Sequence, residues 1–175
     1  MISRVSSRVS SRLIGLPPVI SRHTRLLVLG SFPGVASLQA QQYYGHPRNH
    51  FWPILAALWQ LDLMAMPYAQ RLAELRRRGL GLWDVYASCR REGSLDQAIE
   101  DAVGNDFATL RMRAPLLSDI VHNGNESARA MKPLVALGFS VHKLPSTSPA
   151  NASWSFDEKL AAWRELFERC AIVKR

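Results

Sequence analysis

Residues 25–34 read RLLVLGSFPG, an unbroken apolar run from Leu26 to Leu29 that is closed by Gly30 and by a turn carrying Pro33 and Gly34. A strand with one wet face alternates apolar and polar residues. A continuous short run ended by a turn signal reads instead as a strand buried on both faces, as in a parallel sheet. Three more segments read as short strands: GLWDVY from Gly81 to Tyr86, DIVH from Asp119 to His122, and FSVHKL from Phe139 to Leu144. The spaces between them carry helical periodicity. Phe51, Ile54, Leu55, Leu58 and Leu61 share a face, and a second amphipathic segment runs from Tyr68 to Arg78 before the stop at Gly79. The polar turn SCRREGS leads to a helix beginning near Leu95, and residues 125–137 form another that stops at Gly138. Ser155 and Glu158 have capping-box spacing ahead of Leu160, Trp163, Leu166 and Phe167, which marks the last helix. This alternation predicts a three-layer α/β/α domain around a mainly parallel sheet of about four strands.

The 175-residue chain, 47% hydrophobic, is long enough for one full core, and we expect one domain. No apolar run approaches the ~18 residues that cross a bilayer, so no membrane partner is expected. Two cysteines, Cys89 and Cys170, are too few for a disulfide framework, a four-cysteine zinc site or an iron–sulfur cluster. They fit a reducing, cytoplasmic interior. Twenty-two Lys and Arg against 14 Asp and Glu, a net charge of +8, favour a polyanionic partner through counterion release. Within the first 25 residues, Arg4, Arg8, Arg12, Arg22 and Arg25 occur without an acidic side chain. Residues 1–24 read as a flexible basic arm before a domain spanning 25–175. An organelle transit peptide shares that composition.

The irregular segments GSFPG, SCRREGS, HNGN and LPSTSPANAS each follow the carboxyl end of an expected strand, the edge where parallel α/β sheets hold their ligands. Residues 30–55, GSFPGVASLQAQQYYGHPRNHFWPIL, offer backbone N–H groups, aromatic rings and an amide, or else an ordinary surface loop with a buried aromatic edge. Neither a GxGxxG nor a Walker pattern is present. In LPSTSPANAS, Ser146, Thr147 and Ser148 stand between Pro145 and Pro149. Such hydroxyls hold DNA phosphates, or satisfy their own backbone in a rigid connection. His46 and His50 are four apart, but Pro47 breaks the helical register that zinc would need, and no metal is expected. Trp52, Trp59 and Trp163 read as core, and Arg76, Arg77 and Arg78 as a solvated basic last turn.

Together GSFPG, YYGHPRNHFW, GLWDVYASCRREGSLD and LPSTSPANAS resemble, in order and spacing, the hypoxanthine-DNA glycosylase family of the uracil-DNA glycosylase superfamily. The resemblance covers roughly residues 25–166. It implies a four-stranded parallel sheet, no metal or other cofactor, and hydrolysis of a base–sugar bond in double-stranded DNA containing a deaminated base, by a monomer. Two positions depart from the wider superfamily. Phe32 stands where related enzymes carry an acidic or amide residue that positions water, and Leu144 replaces the His or Asn that precedes Pro-Ser. The hypoxanthine branch relies on the amide of its His-Pro-x-Asn segment, which falls here on Asn49, the expected catalytic residue.

Cleavage develops oxocarbenium character on the sugar, so orienting water suffices, and Asn49 would do so; its other reading is a helix N-cap. Gly30, Ser31 and Phe32, the backbone N–H groups around Ser31 to Gly34, the Asn123 side chain and Asp84 are expected around the base, with Tyr44 stacking on it. Asn123 before Gly124 is also an ordinary turn residue, Asp84 also a partner for Arg, and Tyr44 also a core aromatic. His46, Arg48, Ser146, Thr147, Ser148 and Asn151 are expected to meet DNA, with Pro149 to Asn151 at the tip of a wedge. Three rival readings stand: a mismatch-type uracil glycosylase, a catalytically silent damage-binding domain, and an enzyme acting on a small nucleotide.

Overall fold

The computed structural model describes residues 11–173. In chain order it contains β1 (Leu13–Ile14), β2 (Leu26–Gly30), α1 (Val35–Ala40), α2 (Phe51–Trp59), α3 (Tyr68–Arg78), β3 (Leu80–Asp84) and β4 (Tyr86–Arg90). There follow β5 (Glu100–Gly104), α4 (Leu110–Arg113), β6 (Asp119–Asn123), α5 (Met131–Ala136), β7 (Ser140–Leu144) and α6 (Phe156–Arg169). The four expected strands form one parallel sheet in the order β3-β2-β6-β7. Every residue of β2 and β3 is buried, which is why their sequences are apolar without alternation.

Side chains alternate across the sheet and feed two cores. Leu26 and Val28 point to one face, with Leu80, Leu82 and Val121, where α2, α3 and α6 supply Phe51, Ile54, Leu55, Leu75, Trp163 and Phe167. Leu27 and Leu29 point to the other, with Trp83 and Ile120, against Leu110 of α4 and Leu134 of α5. This is the expected three-layer arrangement. Trp52, Trp59 and Trp163 are all buried, as read. The capping box at α6 is complete, with the Ser155 hydroxyl accepting from Glu158 N and the Glu158 carboxylate accepting from Ser155 N. Arg77 and Arg78 pair with Glu74, and Arg78 also lies over the Trp59 ring at 4.7 Å.

Four expectations need correction. Part of the supposed arm belongs to the domain: β1 pairs antiparallel with β4, Val19 bridges Leu82, and Leu16, Val19 and Thr24 are buried. Residues 1–10 lie outside the described residues. GLWDVYASCRREGS is not one strand and a turn but two strands, β3 ending at Asp84 and β4 leaving the parallel sheet to pair with β5. In place of the helix near Leu95 there is only a single 3-10 turn, Asp96–Ala98. β5 is wholly exposed and so carries no apolar periodicity to betray it. The segment 31–48, read as loop, also contains the short helix α1.

Candidate active site

The strand order turns back between β2 and β6, because the chain passes from β2 to β3 on one side and to β6 on the other. Crevices form at the carboxyl edge of such a switch. Here Gly30 ends β2 and Asn123 ends β6, and a cavity of about 890 Å³ opens above them.

The turn after β2 is held by the segment that follows β4. Ser31 Oγ donates to Asp96 Oδ1 at 2.6 Å, and Val35 N donates to Ser94 Oγ at 2.9 Å. The buried Arg91 guanidinium donates to Pro33 O and Gly93 O, with its Cζ 5.2 Å from the centre of the Phe32 ring. Phe32 is thus packed in place, a shaped apolar wall with no group that could hold water.

At the cavity floor, Gly30 leaves room for two polar groups. A Cβ there would collide with Asp84 Oδ1 and lie 3.6 Å from the Tyr44 hydroxyl. Asp84 is 4% exposed, its Oδ2 is buried without a hydrogen-bond partner, and it lines the cavity. Burial first, and the nearby Asp96 carboxylate second, push its pKa up to about 7 against the opposing pull of Arg91. A carboxylic acid that keeps its proton offers both a donor and an acceptor. The Tyr44 ring stacks on Phe51 with centroids 4.1 Å apart, and its hydroxyl is buried without a partner. One face of Tyr44 is therefore taken by the core, and its phenol pKa is raised by burial and by Asp84.

Asn49 Oδ1 accepts from Phe51 N at 2.9 Å, a side-chain turn just ahead of α2, whose N-cap position is His50, and the amide also lines the cavity. That bond uses one lone pair of the oxygen and orients the group; the second lone pair and the amide N–H groups are free of partners among the described residues. The next residue ties two loops together, His50 N donating to Thr147 O at 3.0 Å.

Thr147 corrects one assignment. It is wholly buried, its N–H donating to Asn123 Oδ1 and its Oγ accepting from Asn123 Nδ2, both at 2.9 Å. It cannot touch a phosphate; it locks residues 144–153 to the end of β6. Asn123 spends its oxygen and one N–H on that lock, which leaves one N–H outside it. Gly124 lies at φ +102, and a Cβ there would come within 2.9 Å of Ser146 Cβ, so the close approach of the loop depends on glycine. Ser146 Oγ and Ser148 Oγ accept from Ser148 N and Ala150 N, the self-satisfying loop bonds that were the alternative to phosphate contact.

Every residue assigned above to base or DNA lines this cavity except Arg48, which is exposed beside His46. Arg91, Ser94 and Asp96 were missed, because RREGSLD was read as a turn entering a helix. Their signal was the clustering of an Arg pair and an Asp after a strand that ends at the ligand edge. Trp154, 43% exposed on the rim, was missed too.

Residues 17–167 match the Uracil DNA glycosylase superfamily, a span that begins within the segment read as an arm. The chain is 41% identical over 155 residues to a hypoxanthine DNA glycosylase of Methanosarcina barkeri, covering 89% of this chain and 98% of that one. A hypoxanthine DNA glycosylase of Methanosarcina acetivorans is 37% identical over 153 residues, covering 87% and 96%. A solution NMR structure of a Methanosarcina acetivorans protein, described as a candidate uracil DNA glycosylase, superposes with a TM-score of 0.78 at 36% identity, covering 89% of this chain and 99% of that one. With the parallel sheet, the cavity at its switch point and the ordered motifs all in agreement, the chain belongs to the uracil DNA glycosylase superfamily.

Proposed function

We propose that this protein removes hypoxanthine from DNA by hydrolysing the bond between the base and C1′ of its deoxyribose. The observation that carries the proposal is the pair of polar groups lining one cavity: the anchored amide of Asn49 and the buried, unpartnered carboxyl of Asp84. Two relatives at 41% and 37% identity bear the name hypoxanthine DNA glycosylase, which supports the choice of base.

The nucleotide enters extrahelically, at a cost of a few kcal/mol of unstacking that a mismatched inosine reduces. Hypoxanthine presents an acceptor at O6 beside a donor at N1. A neutral Asp84 complements both, donating to O6 and accepting from N1–H. As the C1′–N9 bond breaks, its electron pair passes to the base, and hydrogen bonds from Asp84 and the backbone of Ser31 to Gly34 hold that charge. Asn49 accepts a hydrogen bond from water and directs its oxygen to C1′. The proton released by the water returns by way of solvent to the departing base, and the products are neutral hypoxanthine and an abasic site. His46, Lys143, Ser146, Ser148 and Asn151 stand at the cavity to meet the DNA backbone, in keeping with the net charge of +8.

Labelled duplexes carrying inosine, uracil, xanthine or ethenoadenine, followed by alkaline cleavage of abasic sites, test the proposal. Inosine is expected to be cut fastest. Preferential cutting of uracil would assign the mismatch-type activity instead, and binding without cleavage of any substrate would identify a silent damage-binding domain.

A further inference from the structure

Away from the cavity, the fold gathers three metal-type donors that are scattered in sequence. Asp119 begins β6 and His142 lies in β7; parallel pairing sets Asp119 beside Ser140 and Val121 beside His142, so both side chains project from the face that α6 covers. Cys170 caps the carboxyl end of α6. A carboxylate oxygen of Asp119, a ring nitrogen of His142 and the Cys170 sulfur all lie within 4.8 Å of one another. None of the three lines the cavity of the excision site.

We propose that Asp119, His142 and Cys170 bind one Zn²⁺ that clips the end of α6 to β6 and β7. A carboxylate, an imidazole and a thiolate are the usual zinc donors, three of them leave a fourth position for water, and nitrogen with sulfur disfavours Mg²⁺ and Ca²⁺. The donors are already turned toward a common point. His142 Nε2 lies 2.8 Å from Asp119 Oδ1, and the Cys170 thiol lies against the same carboxylate. The ion takes the place of those two protons: the thiol proton leaves to solvent, and the imidazole proton moves to Nδ1. Ser118 Oγ donates to Asp119 Oδ2 at 2.7 Å and fixes the carboxylate from behind, as outer-shell partners of metal sites do. The carboxyl end of a 14-residue helix adds a negative field.

The cations facing the cluster are Arg25, which donates to Ala171 O, and Arg169. They oppose a second positive charge and help to ionise the thiol. Cys170 must give up its thiol proton to ligate the ion. Binding therefore releases a proton and strengthens as pH rises.

Titration of the metal-free, full-length protein with Co²⁺, which reports thiolate ligation by a sulfur-to-cobalt charge-transfer band, tests the site. The band is expected to saturate at one equivalent and to disappear on addition of Zn²⁺, and Zn²⁺ is expected to raise the unfolding temperature. Cys170→Ser should abolish the band and His142→Gln should weaken binding at least about 10²-fold, while Cys89→Ala, altering a buried thiol elsewhere, keeps it. Absence of the band at millimolar Co²⁺ in the wild-type protein would overturn the proposal without recourse to any variant. So would its persistence in Cys170→Ser, which would place the ion elsewhere, or an unfolding temperature indifferent to Zn²⁺.

Discussion

Replacing Asp84 by Asn tests whether this carboxyl works as a neutral acid. The side chain is 4% exposed, with one oxygen unpartnered, and its pKa rises from 3.8 to about 7 on folding. Because the folded state holds the proton more tightly, it binds more protons than the unfolded chain between those values. Stability therefore falls as pH rises through that window and levels off above about pH 7. At about 1.4 kcal/mol per pKa unit, the ionised group costs about 4 kcal/mol above pH 7, an upper bound because relaxation around a buried charge reduces it. Asn has nearly the same shape and no charge to bury. Urea unfolding of wild type and Asp84→Asn should thus give similar stabilities near pH 4 and a variant more stable by up to about 4 kcal/mol near pH 8. Single-turnover excision of inosine should decline through about pH 7 in wild type, as the donor to O6 is lost, and lose that decline in Asp84→Asn, whose amide keeps a donor at every pH. A stability difference that does not change with pH would refute the buried-acid reasoning, and parallel excision profiles would remove Asp84 from the chemistry.

Asn49→Ala should keep duplex binding but lose about 10²–10³-fold in single-turnover excision, as for loss of one oriented donor, with Asn49→Asp retaining more; wild-type rates in a folded Ala variant would clear Asn49 of the role. Asn123→Ala strips both partners from the wholly buried Thr147 and should destabilise the protein by about 2–4 kcal/mol in urea unfolding, whatever its effect on base binding. Affinity for duplex DNA should fall steeply between low and physiological salt, and a flat dependence measured by fluorescence anisotropy would argue against phosphate contacts. Removal of residues 1–10 should lower that affinity with little change in excision rate or unfolding midpoint, whereas removal of residues 1–24 should lower the midpoint as well, since Leu16 and Val19 are core.

The parallel sheet, the core and the edge that carries the site are legible in local patterning. Leu26 to Leu29 and Leu80 to Trp83 are buried on both faces, and burial on both faces is written as continuous apolar sequence. The capping box at Ser155 and the stop at Gly79 were equally legible, because a cap is a local interaction between residues a few positions apart. Tertiary structure alone decided what depends on distant partners. β4 pairs with β5, a wholly exposed strand that has no hydrophobic period, and β1 joins β4 although its residues lie within a basic, serine-rich stretch. Asp84 became a buried acid only because Gly30 and Tyr44 close over it while Asp96 and Arg91 arrive from another segment. Thr147 reads as a phosphate ligand in sequence, yet Asn123, 24 residues earlier, occupies both its N–H and its hydroxyl. Periodicity and caps are carried by neighbours in the chain, whereas a pKa, an unpartnered oxygen or a cluster such as Asp119, His142 and Cys170 is created by neighbours in space.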